Sequence, residues 1–329
     1  MVENSSRILR LGKISYLNVF PIYYPLESGH ITHSFQIISG PPTQLNSLMA
    51  LGKLDISPVS SIEIVYGNYQ ILPGLGISSC GPVLSVLLLS HYPIRQLDNL
   101  EILASSHSAT SVLLLKILLT RFLGLDSVRL RYGAINKELS KGSLPFALLA
   151  IGDDALRLGS HPFYPHQLDL GELWYKWTGL PFVFGLWVVS KKLWKTKPWL
   201  VEQALNKLIK AKLWAQKNDD AVCREAEKHG VLSFEDLKSY YRHLIFDLNE
   251  EQLQGLKLFF KILHECGEIK RVPRIEVYST LKAGQKDLQD LDEDGQSDCC
   301  YNRSERCTLC STPSPGLDLQ GIPAPRNNL

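Results

Sequence analysis

An α/β protein of two lobes with a ligand cleft between them is the fold class this sequence predicts, on three observations. Strand-like and helix-like segments alternate through the first half of the chain, the pattern of a largely parallel sheet flanked by helices. The chain has 329 residues, more than the roughly 250 at which a single core stops growing, so two bodies with a crevice are favoured. Its composition, 45% hydrophobic and 21% charged, excludes a disordered or fibrous chain.

The elements follow in order. Residues 8–15 alternate Ile8, Arg10, Lys13 and Ile14 as a strand does and run into Tyr16-Leu-Asn-Val-Phe-Pro21, a turn placed to face a ligand. Residues 35–38 form a second strand, 42–51 a helix stopped by Gly52, and 54–59 a third strand before Ser60-Ser-Ile-Glu63 at a helix start. The unbroken apolar run 83–89 reads as a buried strand, and His91-Tyr-Pro-Ile94 is where the chain is expected to leave the first lobe. A second α/β lobe follows: a strand at 101–104, a polar turn at 105–111, and an apolar helix at 112–123 with Gly124 as its stop. Further strands are expected at 128–132 and 146–151, the last ending in Gly152-Asp-Asp154. The apolar run 182–189 marks the returning crossover, and 199–216, 221–229, 234–243 and 250–265 have helical spacing. The expected lobes are therefore 1–92 with 186–282, and 93–185. Residues 283–329 turn rich in Asp, Gln, Ser, Pro and Gly and read as a disordered tail.

Charge narrows the function. The acidic tail masks a body, residues 1–282, of net charge +6, which suits a small anionic ligand. No Lys/Arg run marks a nucleic-acid partner. No apolar run approaches the 18 residues of a membrane span, and the polar start lacks a secretory pattern. Three cysteines (Cys80, Cys223, Cys266) in the body are too few for a disulfide framework and suit a reducing compartment, so the protein is read as cytoplasmic. Cys299, Cys300, Cys307 and Cys310 supply a single C-x₂-C pair with an awkward adjacent pair, so no metal site is expected there. Dinucleotide, P-loop, zinc-protease and nucleophile-elbow motifs are missing from the sequence. Oligomeric state is not set by these features.

Short polar residues instead gather at the carboxyl ends of predicted strands, where open α/β sheets hold ligands. They are Ser15-Tyr-Leu-Asn18, the pair Ser60 and Ser61, the turn Ser105 to Ser111 (Ser108, Ala109, Thr110 and Ser111 among its residues), and Gly152-Asp153-Asp154. Between Ala104 and Val112 a helix start offers hydroxyls, unpaired amides and partial positive charge, a carboxylate-binding set. Each has a plainer use: the serines, Thr110 and Asp153 as helix caps, Asn18 as a turn cap. Ser85 places a hydroxyl in an apolar strand and needs a partner, which a backbone carbonyl could supply. His107 sits at an exposed helix start, and Trp174, Trp177 and Trp187 read as core.

Taken in order, Ile14-Ser-Tyr-Leu-Asn-Val-Phe-Pro21, Leu54-Asp-Ile-Ser-Pro-Val-Ser-Ser-Ile-Glu63, Gly81-Pro-Val-Leu-Ser-Val86, Ser108-Ala-Thr-Ser-Val112, Ile151-Gly-Asp-Asp-Ala-Leu156 and the stretch from Asp169-Leu-Gly through Trp-Thr-Gly-Leu-Pro-Phe-Val-Phe184 resemble the chorismate dehydratase family of the futalosine route to menaquinone. The resemblance runs from about Ile8 to about Leu281. It implies a type II periplasmic-binding-protein-like fold, conversion of chorismate to 3-[(1-carboxyvinyl)oxy]benzoate and water, and no metal or organic cofactor. Asn18 and Ser85 match the positions central to the family's active site; Ser108, Thr110 and Ser111 match its carboxylate-binding turn. His107 falls at a variable position, and the tail has no counterpart. With Asp153 and Asp154 read as helix caps and no evident carboxylate or lysine base in the polar turns, the substrate's own enolpyruvyl carboxylate is expected to take the ring proton. Two alternatives share the fold. The sister synthase making 1,4-dihydroxy-6-naphthoate takes a larger, nucleoside-derived substrate, and the Asp169–Phe184 stretch speaks against it. A non-catalytic solute-binding protein would carry an export signal or anchor.

Overall fold

The computed structural model describes residues 8–279 apart from His107 and Ser143. The expected tail with its four cysteines, and His107, lie outside the described residues.

Strand β1 (Arg10–Ile14) leads through a single 3₁₀ turn, Leu17–Val19, into helix α1 (Phe20–Glu27). Strand β2 (Gln36–Gly40), helix α2 (Pro42–Ala50), strand β3 (Ile56–Ser60), the short helix α3 (Glu63–Tyr66) and the long strand β4 (Tyr69–Ser79) follow. Pro21 and Pro42 stand in the first turns of α1 and α2, where a missing N–H leaves no bond unmade. Strand β3 is buried along its whole length, as a strand covered on both faces must be. Gly12 lets β1 approach it: a Cβ there would stand 2.2 Å from Ser57 Oγ. Asp55, 2% exposed, accepts from the Arg10 amide and Nε at 2.9 and 3.0 Å, fixing the register of the two strands.

The chain then builds a second sheet. Strands β5 (Val86–Ser90) and β6 (Glu101–Ser105), helix α4 (Ala109–Ile117), strand β7 (Arg129–Gly133), helix α5 (Ile135–Leu139), strand β8 (Ala147–Ile151), helix α6 (Gly152–Leu158), strand β9 (His166–Asp169) and helix α7 (Leu170–Thr178) follow in sequence. Strand β10 (Phe182–Ser190) returns to the first sheet, and helices α8 (Lys191–Thr196), α9 (Pro198–Lys217), α10 (Asp219–Glu227), α11 (Phe234–His243) and α12 (Glu250–Glu265) close the described chain.

The strand orders are β2-β1-β3-β10-β4 and β7-β6-β8-β5-β9. Neither sheet is purely parallel. In each, the strand that has just crossed from the other body, β10 or β5, runs antiparallel to its neighbours. Strand β5 therefore belongs to the second sheet, and the first crossing lies between Ser79 and Val86 rather than at 91–94. The return is complete by Phe182 rather than at 186. The run 83–89 reports burial on both faces, which either sheet supplies; hydrogen-bond partners are not written in it. Strand β4 was not anticipated, because Pro73 and Gly74 (φ +66°) break its pattern.

Helix α9 packs on α1 and β4, while α12 packs on β10 and also touches α4 of the second body. One buried apolar cluster runs through both sheets, including Trp174 and Trp187, and a smaller one (Leu87, Leu89, Leu103, Leu148) fills the other face of the second sheet. Among the described residues no helix is long and apolar enough to cross a membrane.

Candidate active site

A cavity of about 50 Å³ lies between the sheets, lined from the first by Ile14, Tyr16, Asn18, Val59 and Ser60 and from the second by Val86, Ser108, Ser111, Ile151 and Gly152. Ser85 reaches it from the crossover, and Phe184 and Gly185 of β10 complete the wall. The carboxyl ends of β1, β3 and β8 and the start of α4 all converge here, because loops leaving strands in one direction are the ones that meet between two facing sheets.

Six of the residues expected from the sequence line this cavity: Asn18, Ser60, Ser85, Ser108, Ser111 and Gly152. Asn18 sits in the 3₁₀ turn, and its buried Oδ1 has no hydrogen-bond partner. Ser108 caps α4 by accepting from the Ser111 amide at 3.2 Å and donates its own hydrogen to Ser111 Oγ at 2.9 Å. Capping and ligand contact are thus compatible uses of one residue. Gly152 takes φ +56°, and a Cβ on it would stand 2.8 Å from the Tyr16 ring, so the ring of one body lies directly on the backbone of the other.

Four expected residues lie beside the cavity, not on its wall. Ser61 donates to the Val183 carbonyl at 2.6 Å, tying the turn between β3 and α3 to β10. Ala109 is the first residue of α4. Thr110 Oγ1 accepts from the Ile62 amide at 3.0 Å, and Asp153 Oδ1 accepts from the Leu17 amide at 2.9 Å. Both bonds join the two bodies. Asp153 does not cap α6, which has no side-chain cap; burial raises its carboxyl pKa, opposed by the Leu17 amide.

Sequence reasoning missed Tyr16 and Asp169. Burial, with Asp154 and Asp153 nearby, pushes the Tyr16 phenol well above its usual range, so it stays a donor. Asp169, buried, accepts from the amides of Val83 and Leu84 at 2.9 and 2.7 Å and from those of Gly171 and Glu172 at 2.9 and 3.1 Å. Capping α7 was legible in Asp-Leu-Gly; its grip on the crossover 86 residues away was not. That grip holds Leu84 in the left-handed region at φ +60°, which a leucine resists, and presents Ser85 to the cavity. Desolvation raises the Asp169 pKa to about 6 against the Glu172, Val83 and Leu84 amides.

The described lining contains no Asp, Glu, Lys, Arg or His. Its polar groups are hydroxyls, a carboxamide and the amino terminus of α4, which can hold carboxylates and a departing hydroxyl but cannot remove a proton at neutral pH. Among the described residues no group of three or more His, Cys, Asp or Glu side chains gathers to hold a metal.

Two mixed sheets, each with one antiparallel strand entered at a crossover and with a crevice at their strand ends, define the two-lobed periplasmic-binding-protein fold. Solved structures agree. The alkanesulfonate-binding protein of Xanthomonas axonopodis pv. citri, bound to MOPS, has a TM-score of 0.62 at 12% identity over 83% of this chain and 98% of that one. A Candida albicans protein described as exhibiting the generic periplasmic binding protein fold has 0.64 at 12% over 84% and 99%. Within that fold, the chain belongs to the menaquinone biosynthesis family, whose model matches residues 9–265. Its relatives include the chorismate dehydratases of Thermus thermophilus, 29% identical over 273 residues (77% of this chain, 94% of that one), and Campylobacter jejuni, 29% over 257 residues (76% and 95%).

Proposed function

We propose that this protein is a chorismate dehydratase, a hydro-lyase that converts chorismate to 3-[(1-carboxyvinyl)oxy]benzoate and water at the head of the futalosine route to menaquinone. The observation that carries the reading is the cavity wall itself: neutral hydroxyl and carboxamide groups, with the unpartnered Asn18 Oδ1 and the Ser85 hydroxyl on one small space, in a chain whose relatives carry that name. A reaction whose product gains an aromatic ring draws its drive from the substrate, and asks the protein for geometry and hydrogen bonds more than for a strong base.

The enolpyruvyl carboxylate takes the proton from the ring carbon that bears it, the C–H electron pair becomes a ring double bond, and the neighbouring hydroxyl departs with its bonding pair to end as water. The Asn18 carboxamide, with both a donor and an acceptor, orients carboxylate and hydroxyl; Ser85 donates to the departing oxygen. Ser60, Ser108, Ser111 and the α4 amino terminus receive the ring carboxylate. The remaining expected residues, Ser61, Ala109, Thr110, Gly152 and Asp153, shape and latch the crevice. No metal or cofactor takes part in this scheme.

The lobes are taken to follow the sheets, 8–80 with 182–279 and 86–178, joined by the crossovers. A cavity of about 50 Å³ is far below the roughly 300 Å³ of small-molecule sites, so the lobes part to admit the substrate, breaking the Leu17–Asp153 and Ile62–Thr110 bonds. The cytoplasm is the compartment proposed, and no disulfide joins the three described cysteines. The test is direct: incubate the purified protein with chorismate and follow, by mass spectrometry, a product lighter by one water. Binding without conversion would make it a solute receptor instead.

A further inference from the structure

Helix α11 carries Tyr240 to the back of the crevice. The residue is 1% exposed, and its hydroxyl has no hydrogen-bond partner. It lies within hydrogen-bonding reach of the Ser85 side chain, and the Asp153 and Asp169 carboxylates act on it. Tyr69, Tyr164 and Tyr241 also bury unpartnered hydroxyls, but Tyr240 is the one set against a cavity-lining side chain. A phenylalanine would fill the same space without burying an unsatisfied donor, so the hydroxyl calls for a use. The Ser85 hydroxyl, for its part, donates to the Val83 carbonyl at a long 3.3 Å. Its hydrogen is turned back toward its own backbone.

We propose that Tyr240 is a positioning residue for Ser85: its O–H donates to Ser85 Oγ, and the Ser85 hydrogen is thereby turned from the Val83 carbonyl into the cavity, toward the hydroxyl that leaves. Burial keeps the phenol protonated, so it serves only as a donor or neutral acceptor at neutral pH. A donor behind an O–H also polarises it, strengthening the bond it makes in front. The inference rests on the dehydratase reading for the identity of the leaving group. Tyr240 also lines a second cavity of about 520 Å³ behind the crossover, with Leu84, Asp169 and Glu172; service to that space is the competing use.

Two measurements decide it. With chorismate, Tyr240→Phe should lower kcat by about five- to tenfold, the worth of one neutral hydrogen bond, with KM unchanged and the melting temperature equal or higher. In a Ser85→Ala background the same change should cost nothing more. An undiminished kcat, or the same loss with and without Ser85, overturns the proposal in favour of the second cavity or of packing. Independently of any substrate, Ser85→Cys places a thiol at the same position, and its alkylation by iodoacetamide is followed against pH by site-resolved mass spectrometry. Adding Tyr240→Phe should move that profile to higher pH, because a donor to the thiolate is lost while Asp153 and Asp169 stay in both variants. An unmoved profile overturns the pairing. A wild-type protein inert toward chorismate would end the dehydratase reading alone, leaving the alkylation result to decide on Tyr240.

Discussion

Asn18 and Gly152 show how differently single residues serve this site. The Asn18 acceptor makes no bond within the protein, so its removal should spare the fold and strike the reaction. Asn18→Ala is expected to lower kcat about a hundredfold, the cost of one preorganised hydrogen-bonding group, with a melting temperature close to wild type; kcat near wild type would remove Asn18 from the mechanism. Gly152 is the reverse. Its left-handed backbone and the Tyr16 ring 2.8 Å from its absent Cβ leave no room for a side chain, so Gly152→Ala should destabilise by about 1–3 kcal/mol and also reduce turnover by displacing Tyr16. Thermal melts with steady-state rates separate the two. The residue types at these positions were readable in the sequence as polar turns after strands. That Thr110 and Asp153 bond across to the other body was not, because an Ile62 or Leu17 amide is a partner any acceptor could have had.

At the scale of the element, the crossover 80–85 is the piece under tension. It holds a leucine at positive φ and owes this to Asp169 at the end of β9, whose two oxygens accept from four amides of the crossover and helix α7, the Val83 amide being shared by both oxygens. Asp169→Asn keeps Oδ1, which faces Gly171, Glu172 and, at 3.1 Å, Val83, but turns an NH₂ toward the Leu84 amide and leaves that donor without an acceptor. A loss of about 1–3 kcal/mol is expected, with slower turnover as Ser85 drifts. The pH dependence carries a sign that can be checked. Burial raises this carboxyl from 3.8 to about 6 in the folded protein, so its contribution to stability is full below its unfolded pKa and falls as pH rises through about 6. Melting temperatures measured from about pH 4 to 7 should show that decline in the wild type and lack it in Asp169→Asn. An equal slope in both would assign it to other groups.

At the scale of the whole molecule, two bodies meet over a crevice too small for a ring dicarboxylate, joined by bonds that include Leu17–Asp153, Ile62–Thr110 and the Lys116–Glu268 ion pair at 3.2 Å, and by the Tyr16–Gly152 contact. Entry therefore couples to separation of the sheets about the two crossovers. Chorismate should shift the small-angle scattering of the protein away from this closed form, raising the radius of gyration; a radius independent of ligand would mean that substrate enters without lobe motion.

What the sequence determined by itself was local or cumulative: strands by alternation, helices by spacing and stop glycines, the polar ends of strands, and, through six ordered motifs, the family. Tertiary structure alone decided which sheet β5 joins, because an apolar run records how deeply a strand is buried and not which neighbour it bonds. It alone brought Asp169 to Leu84 and Tyr240 to Ser85, since contacts between residues scores of positions apart arise only when packed bodies bring distant faces together.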